Sequence, residues 1–75
     1  MRTGLLWFDD SKTRTLEEKV QRAKEHYAAK YYVEPDRAFV HPSTLGDKEE
    51  LVINGVTIKG SNLILPNHIW IGISD

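Results

Sequence analysis

The chain reads as an α/β domain, with α+β as the neighbouring class. It should hold one amphipathic helix packed on a mixed sheet of about four to five short strands, in the order β-α-β-β-β-β. Three observations predict this. A helix-start signature at Thr15 leads into apolar residues at helical spacing. An Asn54-Gly55 pair sits between two aliphatic runs. Three further short runs of β-branched and aromatic residues are bounded by Asp, Pro, Asn or Ser.

Residues 3–8 form the first predicted strand, ended by the turn residues Asp9-Asp10-Ser11. Its apolar residues Leu5, Leu6, Trp7 and Phe8 are consecutive, a pattern that suits a strand covered on both faces. Thr15-Leu16-Glu17-Glu18 then sets a capping box. The Thr15 hydroxyl accepts from a free helix N–H, and Glu18 reaches back to the Thr15 N–H. Glu17 and Glu18 also suit the positive end of the helix dipole, and Glu18 with Arg22 makes a favourable i,i+4 pair. Leu16, Val20, Ala23, Tyr27 and Tyr31 fall on one stripe, and Pro35 should end the helix by pushing Glu34 out of the α region.

Residues 37–41 read as the second strand, stopped by Pro42. Residues 43–50 are a polar connection with room for one helical turn. Asn54-Gly55 then predicts a tight hairpin, because both turn positions require positive φ. That loop sets Ile53 opposite Val56 and Leu51 opposite Ile58 on an aliphatic face. On the other face it sets Val52 opposite Thr57 and Glu50 opposite Lys59. Residues 63–65 read as a short extended piece before a turn at Pro66-Asn67. Residues 69–73 are the last strand, with Ile69, Ile71 and Ile73 on one face and Trp70 and Gly72 on the other.

The 75 residues make one domain, residues 1–75, of a size that buries only about 60% of its unfolded surface. With no cysteine there is no disulfide to brace it and no thiolate for metal or catalysis. The 10 basic and 11 acidic residues nearly cancel, so neither duplex DNA nor an anionic membrane is demanded as a partner. No apolar run has the length of a signal peptide core or a membrane span. A cytoplasmic protein is therefore expected, with no resident cofactor or metal.

Strand, helix and strand over residues 3–41 predict a βαβ unit with parallel strands and a right-handed crossover. Their carboxyl ends would gather Asp9, Asp10, His41 and Ser43 at one sheet edge, where clefts of open α/β sheets often form. An antiparallel last strand would bring His68 there too. These are the residue types of a metal-dependent hydrolase, which is one function to weigh. The bland reading weighs more: Asp-Asp-Ser is ordinary turn chemistry, and no spaced motif such as HExxH is present. Ser43 beside His41 invites a nucleophile-and-base reading, but Pro42 between them is expected to make the two side chains diverge.

Lys19, Arg22, His26 and Lys30 form a basic helix stripe that could track phosphates, against the simpler reading of a solvated face. On the sheet, Phe39, Trp70 and one of Trp7 or Phe8, with Trp7 preferred, should lie on the face away from the helix. Such aromatics can stack bases of a single-stranded nucleic acid, though the consensus of RNA-binding sheets is absent. They can equally be covered by loops or by a second subunit. The leading expectation is a non-enzymatic interaction module, as a homodimer or with a protein partner. Nucleic acid is possible but not favoured, and no membrane is expected.

The segments GLLWFDD, AFVHPSTLG and ILPNHIWIGI resemble short hypothetical proteins of bacterial genomes, some carried on mobile elements. The resemblance spans nearly the whole chain and implies a free-standing small protein. It carries no assigned activity and so implies no catalytic residue.

Overall fold

The structure, a computed structural model, describes residues 3–74. Strand β1 (Gly4–Phe8) leads to helix α1 (Leu16–Tyr31), then β2 (Arg37–Val40), the short helix α2 (Pro42–Leu45), β3 (Glu50–Ile53), β4 (Val56–Gly60) and β5 (His68–Gly72). The five strands form one mixed sheet in the order β1-β5-β2-β4-β3. One long helix lies on one face of it, which makes the domain α+β.

Helix α1 starts as its residues dictate. Glu18 N donates to Thr15 Oγ1 at 3.2 Å and Thr15 N donates to Glu18 Oε1 at 3.0 Å, so the capping box is complete. The helix stops earlier than Pro35 would require. Tyr32 takes a left-handed conformation, φ 61°, and its N–H donates to Ala28 O, ending the helix at Tyr31. Val20, Ala23 and Tyr27 are fully buried on the sheet-facing stripe, flanked by Leu16 and Tyr31. The Tyr27 hydroxyl donates to Thr3 O at 2.9 Å and its ring packs on Tyr31, so the helix is tied to the start of β1.

The hairpin adopts the register expected from its turn. Glu50, Leu51, Val52 and Ile53 pair with Lys59, Ile58, Thr57 and Val56. Asn54 and Gly55 both have positive φ, 50° and 81°. Lys59 Nζ lies 3.7 Å from Glu50 Oε1 across the pair. The tip is held to α1, because Lys24 Nζ donates to Asn54 O at 2.7 Å and Asn54 Nδ2 to Gln21 Oε1 at 2.8 Å.

Strands β1 and β2 are parallel in direction but are not neighbours. The last strand, β5, enters between them, antiparallel to both, while β4 pairs parallel to the other side of β2. The helix-facing side carries Ala38, Val40, Val56, Ile58, Ile69 and Ile71, all buried, with Leu5, Trp7, Leu51 and Ile53 packed around them. Leu45 joins this core from α2, so the polar connection after β2 does include one helical turn. Residues 63–65 are not extended; they form turns that fold beside the sheet. No helix among the described residues is long and apolar enough to cross a membrane.

Candidate functional site

Alternation along each strand sends half of the sheet's side chains away from α1. The register aligns them in rows across all five strands. One row runs Leu6, Trp70, Phe39, Lys59, Glu50; the next runs Gly4, Gly72, Arg37, Thr57, Val52. Phe8 and His68 stand beside the first row, with ring centroids 4.9 Å apart. This outer face is apolar at its β1 end and open: Leu6 is 53% exposed and Phe8 56%.

Trp70 reaches over Gly4 at this end of the sheet. A Cβ built on Gly4 would come within 2.3 Å of its Cζ2, so the indole occupies the space above Gly4. On the other side of Trp70, the segment after β4 turns over the sheet. Ser61 N donates to Val40 O at 2.8 Å and Ile64 N to Ser61 O at 3.2 Å. Phe39, Ser61, Leu63, Ile64 and Trp70 thereby line an open groove of about 400 Å³. Leu63 is 93% exposed and adds apolar surface to it.

Phe39 and Trp70 thus lie on the face away from the helix, as expected, but Trp7 does not. It pairs with Ile69, whose side chain is in the core, and its ring packs on His26 of α1 with centroids 4.4 Å apart. Its buried indole Nε1 has no hydrogen-bond partner among the described residues. Alternation therefore gives the outer position to Phe8 and Leu6. Leu6 was legible in the sequence once Phe8 was assigned outward. Leu63 and Ile64 were missed because a residue in an irregular turn carries no period to read.

The carboxyl ends of β1 and β2 do meet the start of β5, as the antiparallel direction of β5 requires. Asp9 N donates to Asn67 O at 2.9 Å, extending the β1–β5 ladder by one residue. The buried Asp9 carboxylate is held by its own turn. Its Oδ1 accepts from Ser11 N at 3.0 Å and from Arg14 Nη1 at 3.3 Å. Asp10 is exposed. Asp9, Lys19, Thr44, Asn67 and His68 contribute to the lining of a cavity of about 70 Å³, room for little more than water.

His41 and Ser43 pair with each other instead. His41 is the N-cap of α2, and its Nδ1 accepts from Ser43 N at 3.1 Å and lies 2.7 Å from Ser43 Oγ. The expected divergence across Pro42 is therefore corrected. Pro42 opens the helical turn, and that turn folds Ser43 back over the imidazole. Because a backbone N–H only donates, Nδ1 is the acceptor and the neutral ring carries its proton on Nε2. His68 has the opposite tautomer, since its Nδ1 faces Pro66 O at 2.9 Å and a carbonyl only accepts. Among the described residues no three of His, Asp and Glu are grouped to hold a metal ion.

The basic stripe of α1 lies on the other layer from the outer sheet face. Lys19 lines the small edge cavity, His26 packs on Trp7, and Lys30 Nζ sits 5.3 Å over the Tyr31 ring. Arg22 lines a shallow depression at the helix start with Arg14, Glu17 and Glu18, where acidic and basic groups alternate. Among the described residues two carboxylates have clearly shifted affinities for protons. Glu18 is held below its usual range by the hydrogen bonds from the Thr15 backbone and hydroxyl. Asp36 is lowered by the Ser74 backbone N–H, at 2.7 Å, and by the Ser74 hydroxyl, at 2.8 Å. Comparison of the chain with protein-family models, curated proteins and solved structures gave no match.

Proposed function

We propose that this protein is a non-enzymatic interaction module that associates with a second copy of itself through the β1 end of its sheet. One observation carries the reading: Leu6, Phe8, Phe39 and Trp70 form an apolar surface at the β1 end of the sheet, on the side opposite α1. The three strands that carry it, about 4.8 Å apart and about five residues long, present a projected area of roughly 240 Å². That is well under half of what each partner gives to a standard interface, so a small, reversible contact is expected rather than an obligate one. Closed two-fold symmetry is the commonest way for one patch to cover itself.

The polar edge supports the non-enzymatic part of this reading. Asp9 is committed to Ser11 and Arg14, and His41 is committed to capping α2, so these groups already have structural duties. Layer separation takes the helix stripe out of a nucleic-acid site, and of the basic groups on the outer face Lys59 is paired with Glu50. A strand stacked on Phe39 and Trp70 would lie on the opposite side of the domain from Lys19, Arg22, His26 and Lys30, which could not then reach its phosphates.

The test is Trp70 accessibility as a function of concentration. The reading predicts that acrylamide quenching of Trp70, followed in a Trp7→Phe background, falls as light scattering reports dimer. A quenching profile that does not change from micromolar to millimolar protein contradicts it.

A further inference from the structure

The free edge of β1 says how the second copy would attach; this step rests on the self-association reading above. Among the described residues, strand β1 ends the sheet order and pairs with β5 alone. In an antiparallel ladder, residues alternate between pointing their N–H and C=O at the partner strand and pointing them away. Asp9 N bonds to Asn67 O, so Asp9, Trp7 and Leu5 direct their backbone groups to β5. Gly72 O, opposite Gly4, accepts from Asp36 N on its other side, which agrees with this phase. Gly4, Leu6 and Phe8 therefore turn their N–H and C=O groups outward, along the open edge.

The other edge, β3, is guarded. It is four residues long and carries the Glu50–Lys59 ion pair, and its end is tied to α1 through Asn54. Strand β1 has no such protection: Gly4-Leu5-Leu6-Trp7-Phe8 contains no charge and no proline. Native edges normally carry one of these devices, and an edge without them is a pairing surface.

We infer that β1 pairs with β1 of a second copy, antiparallel about a two-fold axis at Leu6, joining the two sheets edge to edge. The residues choose this register. Centring on Leu6 engages all three outward-facing residues of each strand, with Leu6 opposite Leu6 and Gly4 opposite Phe8. Moving the axis by one residue in either direction leaves one of the three without a partner. The side chains agree. On the outer face Phe8 would stand against the partner's Trp70 indole, which already fills the space above Gly4, so aromatic meets aromatic. On the inner face Leu5 would face Trp7, apolar against apolar. No like charges meet anywhere in the paired segment. The joined sheets would carry their two grooves on one continuous outer surface.

Amide hydrogen exchange read by NMR tests this directly, because the alternation gives a pattern that a face-to-face dimer lacks. In the monomer the Leu6 and Phe8 amides should exchange fast while those of Trp7 and Asp9 are protected. In the dimer the Leu6 and Phe8 amides should slow by at least about tenfold. Two exposed-site variants locate the contact independently. Leu6→Lys sets like charges against each other on the axis and should weaken dimerisation by at least about tenfold, with the circular dichroism spectrum retained. Leu63→Lys, in the groove, should leave the dimer unchanged. A dimer whose Leu6 and Phe8 amides still exchange fast, or one broken by Leu63→Lys and not by Leu6→Lys, overturns the edge pairing while leaving self-association standing. A chain that stays monomeric at millimolar concentration overturns both.

Discussion

Replacing Gly4 with alanine probes the β1 end of the outer face with one methyl group. The new Cβ would sit 2.3 Å from Trp70 Cζ2 and 2.5 Å from Cε2, well inside van der Waals contact. The indole must move or the strands must separate. Inserting a methyl group into occupied space costs about 1–3 kcal/mol. Alanine recovers part of this, because glycine in a strand is about 0.5–1 kcal/mol less favourable. Trp70 is only half-buried and can swing outward, which places the expected net cost near the lower end, about 1 kcal/mol. For a domain of this size that lowers Tm by roughly 4–8 °C. Thermal and urea unfolding followed by circular dichroism measure the cost, and the Trp70 indole N–H resonance reports the displaced ring. In a Trp70→Leu background the penalty should shrink or change sign, since the atoms in the way are gone. The reasoning is refuted if Gly4→Ala is as stable as the parent chain and the Trp70 resonance does not move.

Thr15→Ala removes half of the capping box and should cost about 0.5–2 kcal/mol in urea unfolding. It should also let the Glu18 carboxyl rise part of the way toward its usual range, seen in a carbon-13 titration, while the Thr15 backbone bond remains. Asp36 sets a pH dependence of definite sign. Its folded pKa lies below the unfolded one, so its contribution is present above about pH 4 and is lost as pH falls through the lowered value. Ser74→Ala should raise the Asp36 pKa only partly, because the backbone N–H, the larger influence, is kept; an unmoved titration would show the hydroxyl to be irrelevant.

Local patterns were the legible part of this fold. The Asn54-Gly55 turn dictated every pair of the hairpin, because a two-residue loop leaves no freedom of register and the alternating residues agree with it. The capping box at Thr15 and the stripe of Val20, Ala23 and Tyr27 were equally plain, being fixed by bonds within one turn or by helical spacing. What depends on distant segments was not. Nothing in residues 3–41 tells that β5 will enter between β1 and β2; that pairing is decided by which strands bury Ile69 and Ile71 best.

The same limit governed the site. Trp7 and Phe8 are adjacent and both aromatic, so sequence alone cannot say which of them faces the helix. The choice is made by the pairing of Trp7 with Ile69 and by the room that His26 leaves above it. The helix stop at Tyr32 was hidden because an aromatic residue is an unusual occupant of the left-handed region, whereas Pro35 is a conspicuous breaker. His41 and Ser43 meet because one turn of helix follows Pro42, a detail too short to leave a periodic signal.

The central claim is that the chain associates with itself through the β1 end of the sheet, and sedimentation equilibrium of the unaltered chain tests the self-association most directly. Runs from micromolar to millimolar protein at physiological salt should fit a reversible monomer–dimer equilibrium. Its dissociation constant should change little with salt, since the contact is apolar. A single species of monomer mass across that whole range would contradict the account.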